Sequence, residues 1–211
     1  TVKNDSCLMS ANEALHLARS YNSILHETRA LEIIAGFRFN SEQYKDALDN
    51  YQKLLVIYTQ TGDSAKKANC HISVGLSYFN LGIYDEAIRS YHNSLRLAMN
   101  MNDTMLIATA NQNIGVLYAE MNRLEEAMNY YKKALDLYRV LENREDEAGI
   151  LQNIGIIYNE KKNYREALGY YLSALKIYND LKDSLSMASM YLNLGSLYED
   201  QLDYKKSLDY Y

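Results

Sequence analysis

Asn113, Asn153 and Asn193 recur every forty residues, with Ser73 at the same place one period earlier and Gln112 and Gln152 beside two of them. A carboxamide carries both donors and acceptors, so a ladder of them can pair with the backbone of an extended peptide. The same ladder can instead cap or bridge neighbouring helices, and the residues alone leave both uses open. A second set follows one to two turns later: Asn80, Glu120, Glu160 and Asp200, with Asn159 and Glu199 adjacent. Turned toward a ligand, these carboxylates favour chains that carry Lys or Arg; turned outward, they are a solvated helix end. Arg29 is the one basic residue that stands out at these positions.

Residues for catalysis are not arranged for it. His16, His26, His71 and His92 fall at unrelated places in the period, and none meets a Cys or carboxylate at metal-ligand spacing. There is no G-x-S-x-G, no phosphate-cradling glycine loop and no HExxH. The expectation is a chain with no catalytic residue, no metal site and no cofactor. Cys7 shares the register of Ala47, Ala87, Ala127 and Ala167, a small-residue packing position, and Cys70 lies on the other type of helix. A bridge needs Cα atoms within about 7 Å, so two buried free thiols are expected.

The elements that position these residues are legible from one repeat. Gly75, Gly115, Gly155 and Gly195 are forty residues apart, and a fixed period of roughly 20 to 50 residues marks a solenoid whose units stack on their neighbours. Ile107, Ala110, Ile114, Leu117 and Tyr118 form one apolar stripe at helical spacing; Leu124, Ala127, Met128, Tyr131, Ala134, Leu135 and Tyr138 form another. First-type (A) helices are predicted near 24–40, 64–80, 104–121, 144–161 and 184–200. Second-type (B) helices are predicted near 41–59, 84–100, 124–140 and 164–180, with partial B helices at 5–19 and 204–211. Asp63, Asp103, Asn143 and Asp183 stand where N-caps belong, and the chain has no proline to break a helix. Glycine inside a helix costs about 1 kcal/mol against alanine, so its recurrence implies a geometric need. Close approach of the A backbone to its B partner is the simplest one, with Ala87, Ala127, Ala167 and Ser207 supplying the matching gap. Tyr91, Tyr131, Tyr171 and Tyr211 then fill the space one turn further on.

Composition agrees with a packed chain: 48% of the 211 residues are hydrophobic and 23% charged. A net charge of −5 argues against a grip on nucleic acid or an anionic membrane. No apolar run approaches the roughly 20 residues of a membrane span, and no signal-peptide pattern opens the chain. The sequence starts without Met and stops midway through a B helix, which is expected of a segment cut from a larger protein, with more repeats or another domain beyond residue 211. The compartment stays open between periplasm and cytoplasm.

The residues also carry a family resemblance. Ile114-Gly115, Tyr118, Ala127, Tyr131 and Ala134, and again Ile154-Gly155, Tyr158, Ala167, Tyr171 and Ala174, resemble the tetratricopeptide (TPR) pattern of Leu-Gly-x-x-Tyr, Ala, aromatic, Ala. The first full repeat departs from it, with Ala35 at the glycine position and Arg38 at the tyrosine position. The period is forty rather than the usual length of about 34, which is similar to the longer-helix subclass of kinesin light chains, cell-polarity adaptors and bacterial signalling regulators. Met99, Arg139 and Asn179 replace the family's late proline.

The resemblance implies an all-α, right-handed superhelical solenoid of antiparallel helix pairs, one array over 1–211 with repeats near 24–60, 64–100, 104–140 and 144–180 and a partial one from 184. It places the A helices along a concave peptide groove, and with them Asn113, Asn153, Asn193, Gln112, Gln152, Asn159, Glu120, Glu160 and Asp200. Tyr78, Tyr118, Tyr158 and Tyr198 take the family's core position, while Tyr130, Tyr170 and Tyr210 are expected to lie partly exposed on the B side. His71 takes a site the family fills with a large aromatic, so a packing role is expected. The implied function is a non-enzymatic protein- or peptide-binding module, similar to the sensor region of bacterial two-component histidine kinases or transcription regulators, with a membrane-anchored parent. A cytosolic peptide-pheromone regulator and an assembly scaffold are the rival readings.

Overall fold

A computed structural model of the chain describes residues 2–211, with side chains from residue 6 onward. Among the described residues there are eleven α-helices and no strand: α1 (Val2–Ser20), α2 (Ile24–Asn40), α3 (Tyr44–Thr61), α4 (Ser64–Asn80), α5 (Tyr84–Met101), α6 (Thr104–Glu120), α7 (Leu124–Val140), α8 (Arg144–Glu160), α9 (Tyr164–Leu181), α10 (Ser184–Asp200) and α11 (Tyr204–Tyr210). Even-numbered helices are the A type and odd-numbered the B type. The B helix expected from residue 41 begins three residues later, because Glu42 has φ 60° and a right-handed helix cannot run through it.

That left-handed residue is one of a series. Asn22, Glu42, Gly62, Gly82, Asn102, Asn122, Glu142, Lys162, Lys182 and Leu202 all have positive φ, one in every turn between helices and twenty residues apart. At the α8–α9 turn the Lys162 N–H donates to the Asn159 carbonyl (2.8 Å) and the Asn163 N–H to the Tyr158 carbonyl (2.9 Å). This paired closure satisfies the orphan carbonyls of a helix end. The residue after it then serves as N-cap of the next helix. Asp63 accepts from the Lys66 N–H, Asp103 from Leu106, Asn143 from Asp146 and Asp183 from Ser186, at 2.9, 3.0, 3.3 and 3.1 Å. A non-glycine residue in the left-handed region carries a strain of roughly 1–2 kcal/mol. Lys162→Gly and Leu202→Gly are therefore each expected to raise stability by about 1 kcal/mol, measured as a shift in denaturant midpoint.

The chain divides into two compact units, Thr1–Leu106 and Ile107–Tyr211. Helices adjacent in the chain pack on each other from α1 to α5 and from α7 to α11, α6 meets α7 through Tyr118 on Tyr130, and α8 also touches α10. The core of unit 1 gathers Leu31, Ala35, Leu54, Tyr58 and Cys70. In unit 2 it is built from the alanines Ala108, Ala127, Ala134, Ala148, Ala167 and Ala174, with Ile154, Leu194 and four tyrosines among them.

The recurrent glycines serve a purpose other than the expected one. A Cβ built on Gly75 would lie 2.4 Å from Cε1 of Tyr91; on Gly115, 2.6 Å from Cδ1 of Tyr131; on Gly155, 2.5 Å from Cε1 of Tyr171; and on Gly195, 2.6 Å from Cε1 of Tyr211. The tyrosine ring itself lies against the glycine, so it is the ring, not the backbone beside Ala87 or Ala127, that excludes a side chain. Tyr91, Tyr131 and Tyr171 are buried by this arrangement. In the first repeat Ala35 carries the offending Cβ, and Tyr51 is only half-buried.

Cys7 also departs from expectation: it is exposed, while Cys70 is buried, and both are free. Ala87 at the same register is covered by α4, whereas among the described residues the packing recorded for α1 is on α2. Burial is the main force raising the Cys70 thiol to about 12, with the Glu32 charge adding to it. His71 is half-buried with its Nδ1 unpartnered. Burial, and then the charges of Lys67 and Arg96, hold its pKa below the usual imidazole value; burial does the same to His92. The unfolded chain thus takes up these protons first. Stability is complete above the unfolded pKa of about 6.5 and falls as pH drops through and below it. His71→Leu, which installs the residue found at Leu31 and Leu151, is expected to flatten the fall in melting temperature between about pH 7 and 5.

Candidate functional site

Apart from Asn80 on α4, which donates to the Leu76 carbonyl at 2.8 Å, the amides and carboxylates singled out by the repeat lie in unit 2 on α6, α8 and α10, and the structure gives them different surroundings. Gln112 accepts a hydrogen bond from the Tyr138 hydroxyl at 2.6 Å, so its carbonyl oxygen is held by the B helix of its own pair. Asn113 donates to the Thr109 carbonyl at 2.9 Å, one turn back on its own helix. Two residues link neighbouring A helices. Gln152 donates to the Ser189 hydroxyl at 3.3 Å, and Asn159 donates to an Asp200 carboxylate oxygen at 2.7 Å.

Asn153 is different. It is half-buried and has no hydrogen-bond partner among the described residues. It lines a cavity of about 220 Å³ between α6 and α8, together with Glu120, Glu160, Val116, Ile156 and the ring of Tyr131. Glu120, Glu160 and Asp200 are exposed, and none forms a salt bridge among the described residues. Their field is felt by the buried phenols beneath. Burial raises the Tyr131 pKa most, and Glu160 adds to it; Tyr171 is pushed up to about 12 by burial, then by Asp200 and Glu160. Asn193 and Asn159 each keep one buried polar atom, Nδ2 and Oδ1 respectively, without a partner. A buried amide left unmade costs on the order of 1–3 kcal/mol, so these atoms are unmet hydrogen-bonding capacity on one side of the helix stack.

Of the tyrosines expected at the core position, Tyr118 and Tyr158 pack against the core of unit 2 while staying half-buried. Tyr118 stacks on Tyr130, Tyr158 on Tyr170 and Tyr198 on Tyr210, with ring centroids 5.5, 5.4 and 5.5 Å apart. Each pair joins an A helix to its B partner, which accounts for the second tyrosine without a docking role. Arg123 and Lys133 lie over the outer rings of the first pair, at 4.5 and 4.8 Å from the centroids. Sequence reasoning missed Ser189, which meets Gln152, and it missed the polar cluster of unit 1. Glu32 stands at the register of Gln112 and Gln152, which is the signal that would have found it.

Among the described residues no group of three His, Cys, Asp or Glu side chains is placed to hold a metal ion, and no helix is long and apolar enough to cross a membrane. No curated protein matches the chain by sequence. Solved structures do. BtubC (BKLC) from P. vanneervenii is 19% identical over 98% of this chain and 87% of its own, with a TM-score of 0.83. A signal transduction ATPase with numerous domains and a tetratricopeptide repeat sensor, from Pyrococcus horikoshii, is 18% identical with a TM-score of 0.79; this chain is covered in full and spans 36% of that one. A Rap protein complexed with Competence and Sporulation Factor is 18% identical over 93% of this chain and 55% of its own, with a TM-score of 0.77. At these identities the likeness is one of fold. The tetratricopeptide repeat model matches residues 71–139 and 146–211, well over half of the sequence, and the chain belongs to the tetratricopeptide repeat family.

Proposed function

We propose that unit 2 holds an extended peptide along its A helices, with Asn153 and its neighbours pairing to the peptide backbone. The carrying observation is the unpartnered Asn153 carboxamide at the mouth of a cavity flanked by Glu120 and Glu160. Apolar walls and unpaired carboxylates suit a peptide that carries Lys or Arg, whose stems bury along apolar surface while the charge stays wet. Gln112 and Asn113 are already engaged within their own repeat, so in this reading they steady the helices and Asn153, Asn193 and Asn159 carry the contacts. Neighbouring folds in Rap proteins complexed with a factor or a Phr* peptide support peptide as the ligand class. The repeat sensor of the signal transduction ATPase supports a sensory or regulatory place within a larger signalling protein.

The test is a peptide-library capture with Asn113→Ala, Asn153→Ala and the double variant. Loss of binding on Asn153→Ala, with helicity and melting nearly unchanged, supports the reading. A large loss of stability with binding intact makes the ladder structural. Preference for acidic over basic peptides overturns the charge assignment.

A further inference from the structure

Unit 1 carries two cavities side by side that share a wall. The first, about 200 Å³, is lined by Glu32, Tyr51, Leu54, Lys66, Cys70 and Ser73 among others. The second, about 310 Å³, is lined by Ile24, Leu25, Thr28, Ile57, Thr61 and Asp63 among others. Tyr58 and Lys66 border both. The shared wall is polar and organised: the Tyr58 hydroxyl donates to Oε1 of Glu32 at 2.5 Å, and the Lys66 ammonium donates to the same oxygen at 3.2 Å. The Lys66 ammonium also lies over the Tyr58 ring, 5.7 Å from its centroid, and the other Glu32 oxygen accepts no hydrogen bond among the described residues. On either side the lining is mixed: Asn69 and Ser73 join Leu54 and Cys70 at the first cavity, and Thr28, Thr61 and Asp63 join Ile24, Leu25 and Ile57 at the second. Leu54 and Cys70 are 2% and 4% exposed under the first cavity, while Ile24 and Leu25 stand 56% and 57% exposed at the second.

The origin of the first cavity is a departure from the repeat. Where other pairs have glycine, Ala35 carries a Cβ that would collide with a tyrosine ring laid as Tyr91 is laid. Tyr51 is accordingly not sunk into that slot; its hydroxyl meets Ser73 on α4, and its carbonyl accepts from the Cys70 thiol at 3.3 Å. The ring thus becomes a wall of the space between α2 and α4.

We infer that these cavities take two apolar side chains, one residue apart, from an extended peptide segment whose intervening backbone amide meets Glu32 and Lys66. Each cavity is near or below the roughly 300 Å³ at which small-molecule sites begin, which suits single side chains. Extended chain puts alternate side chains on one face, about 6.5–7 Å apart. The donor–acceptor pair on the dividing wall matches an amide, which needs one of each. The buried Cys70 thiol, raised to about 12, makes the first floor an unreactive apolar surface rather than a nucleophile. This site rests on the reading of the chain as a peptide binder, and it uses residues that the unit 2 site does not.

The test is NMR titration of the whole chain with acetyl-Leu-Ser-Leu-amide, against acetyl-Leu-Ser-Asp-amide and acetyl-Asp-Ser-Asp-amide. The Leu-Ser-Leu probe is expected to give saturable shifts at Leu25, Leu54, Tyr58 and Lys66, at least tenfold tighter than the Asp-Ser-Asp probe. Asn69→Trp, an exposed change at the rim of the first cavity, is expected to abolish those shifts with melting unchanged. Asn153→Ala is expected to leave them intact, which separates failure here from failure of the unit 2 site. Equal affinity for the three probes, no saturable shift at millimolar concentration, or shifts that survive Asn69→Trp would each overturn the assignment.

Discussion

Alanine at Gly155 is expected to destabilise unit 2 by about 1–3 kcal/mol, and alanine at Gly115 by as much again. The new methyl would sit 2.5 and 2.6 Å from ring carbons of Tyr171 and Tyr131, closer than real side chains approach. Neither ring can swing out cheaply, since Tyr131 and Tyr171 are each 2% exposed. At roughly 2–4 °C per kcal/mol for a chain of this length, the double variant should melt far below the parent. An internal control is at hand. Gly169 lies inside α9 with nothing within 4 Å of its missing Cβ, so Gly169→Ala should stabilise by about 1 kcal/mol through helix propensity alone. Destabilisation at all three sites would mean that backbone freedom, not the ring, is what these glycines provide. Tyr131→Leu should relieve much of the Gly115→Ala penalty, and a double-mutant cycle reads that coupling directly.

The second large effect is expected at the α7–α8 turn. Glu147 is buried, its side chain 9% exposed, and is held by Arg139 at 3.0 Å and Arg144 at 3.1 Å. Replacing both arginines with methionine leaves a carboxylate out of water with no counter-charge. Removing the partners of a fully buried ion costs about 3–5 kcal/mol; because both arginines are about half exposed, roughly 2–3 kcal/mol is expected here. Glu147→Met in the same background should recover most of that loss, because an apolar residue has no charge to strand. If the triple variant is no more stable than the double, burial of the carboxylate is not the source of the cost. The same clasp, Arg19 to Glu27 at 2.8 Å, closes the α1–α2 turn.

Much of the fold was written in local pattern. Helix ends fell within a few residues of the structure because Asp63, Asp103, Asn143 and Asp183 announce them by side-chain chemistry. The turns were less legible: of ten left-handed positions only Gly62 and Gly82 are glycine, so strain borne by Lys162 or Leu202 leaves no compositional trace. Gly155 announced a geometric need by recurring, yet not what met it, because the ring of Tyr171 lies on the partner helix and its rotamer is not written in the sequence. For the candidate site, the register of Asn153 was visible but its freedom was not. Asn113 shares that register and is nonetheless tied to Thr109, and nothing in an asparagine's sequence neighbours fixes its rotamer. The first unit 1 cavity was least visible, since it arises from Ala35, a small departure whose consequence is the displacement of another residue's ring.

The ring-on-glycine contact has a kinetic consequence. In all four pairs the partners are sixteen positions apart, so each of these contacts is closed by a short chain segment at small entropic cost. Folding rates rise as contacts become local, and a stack whose members touch only their neighbours can nucleate in any pair and propagate outward. Each glycine–tyrosine pair is thus a separate ignition point, and no single one needs to form first.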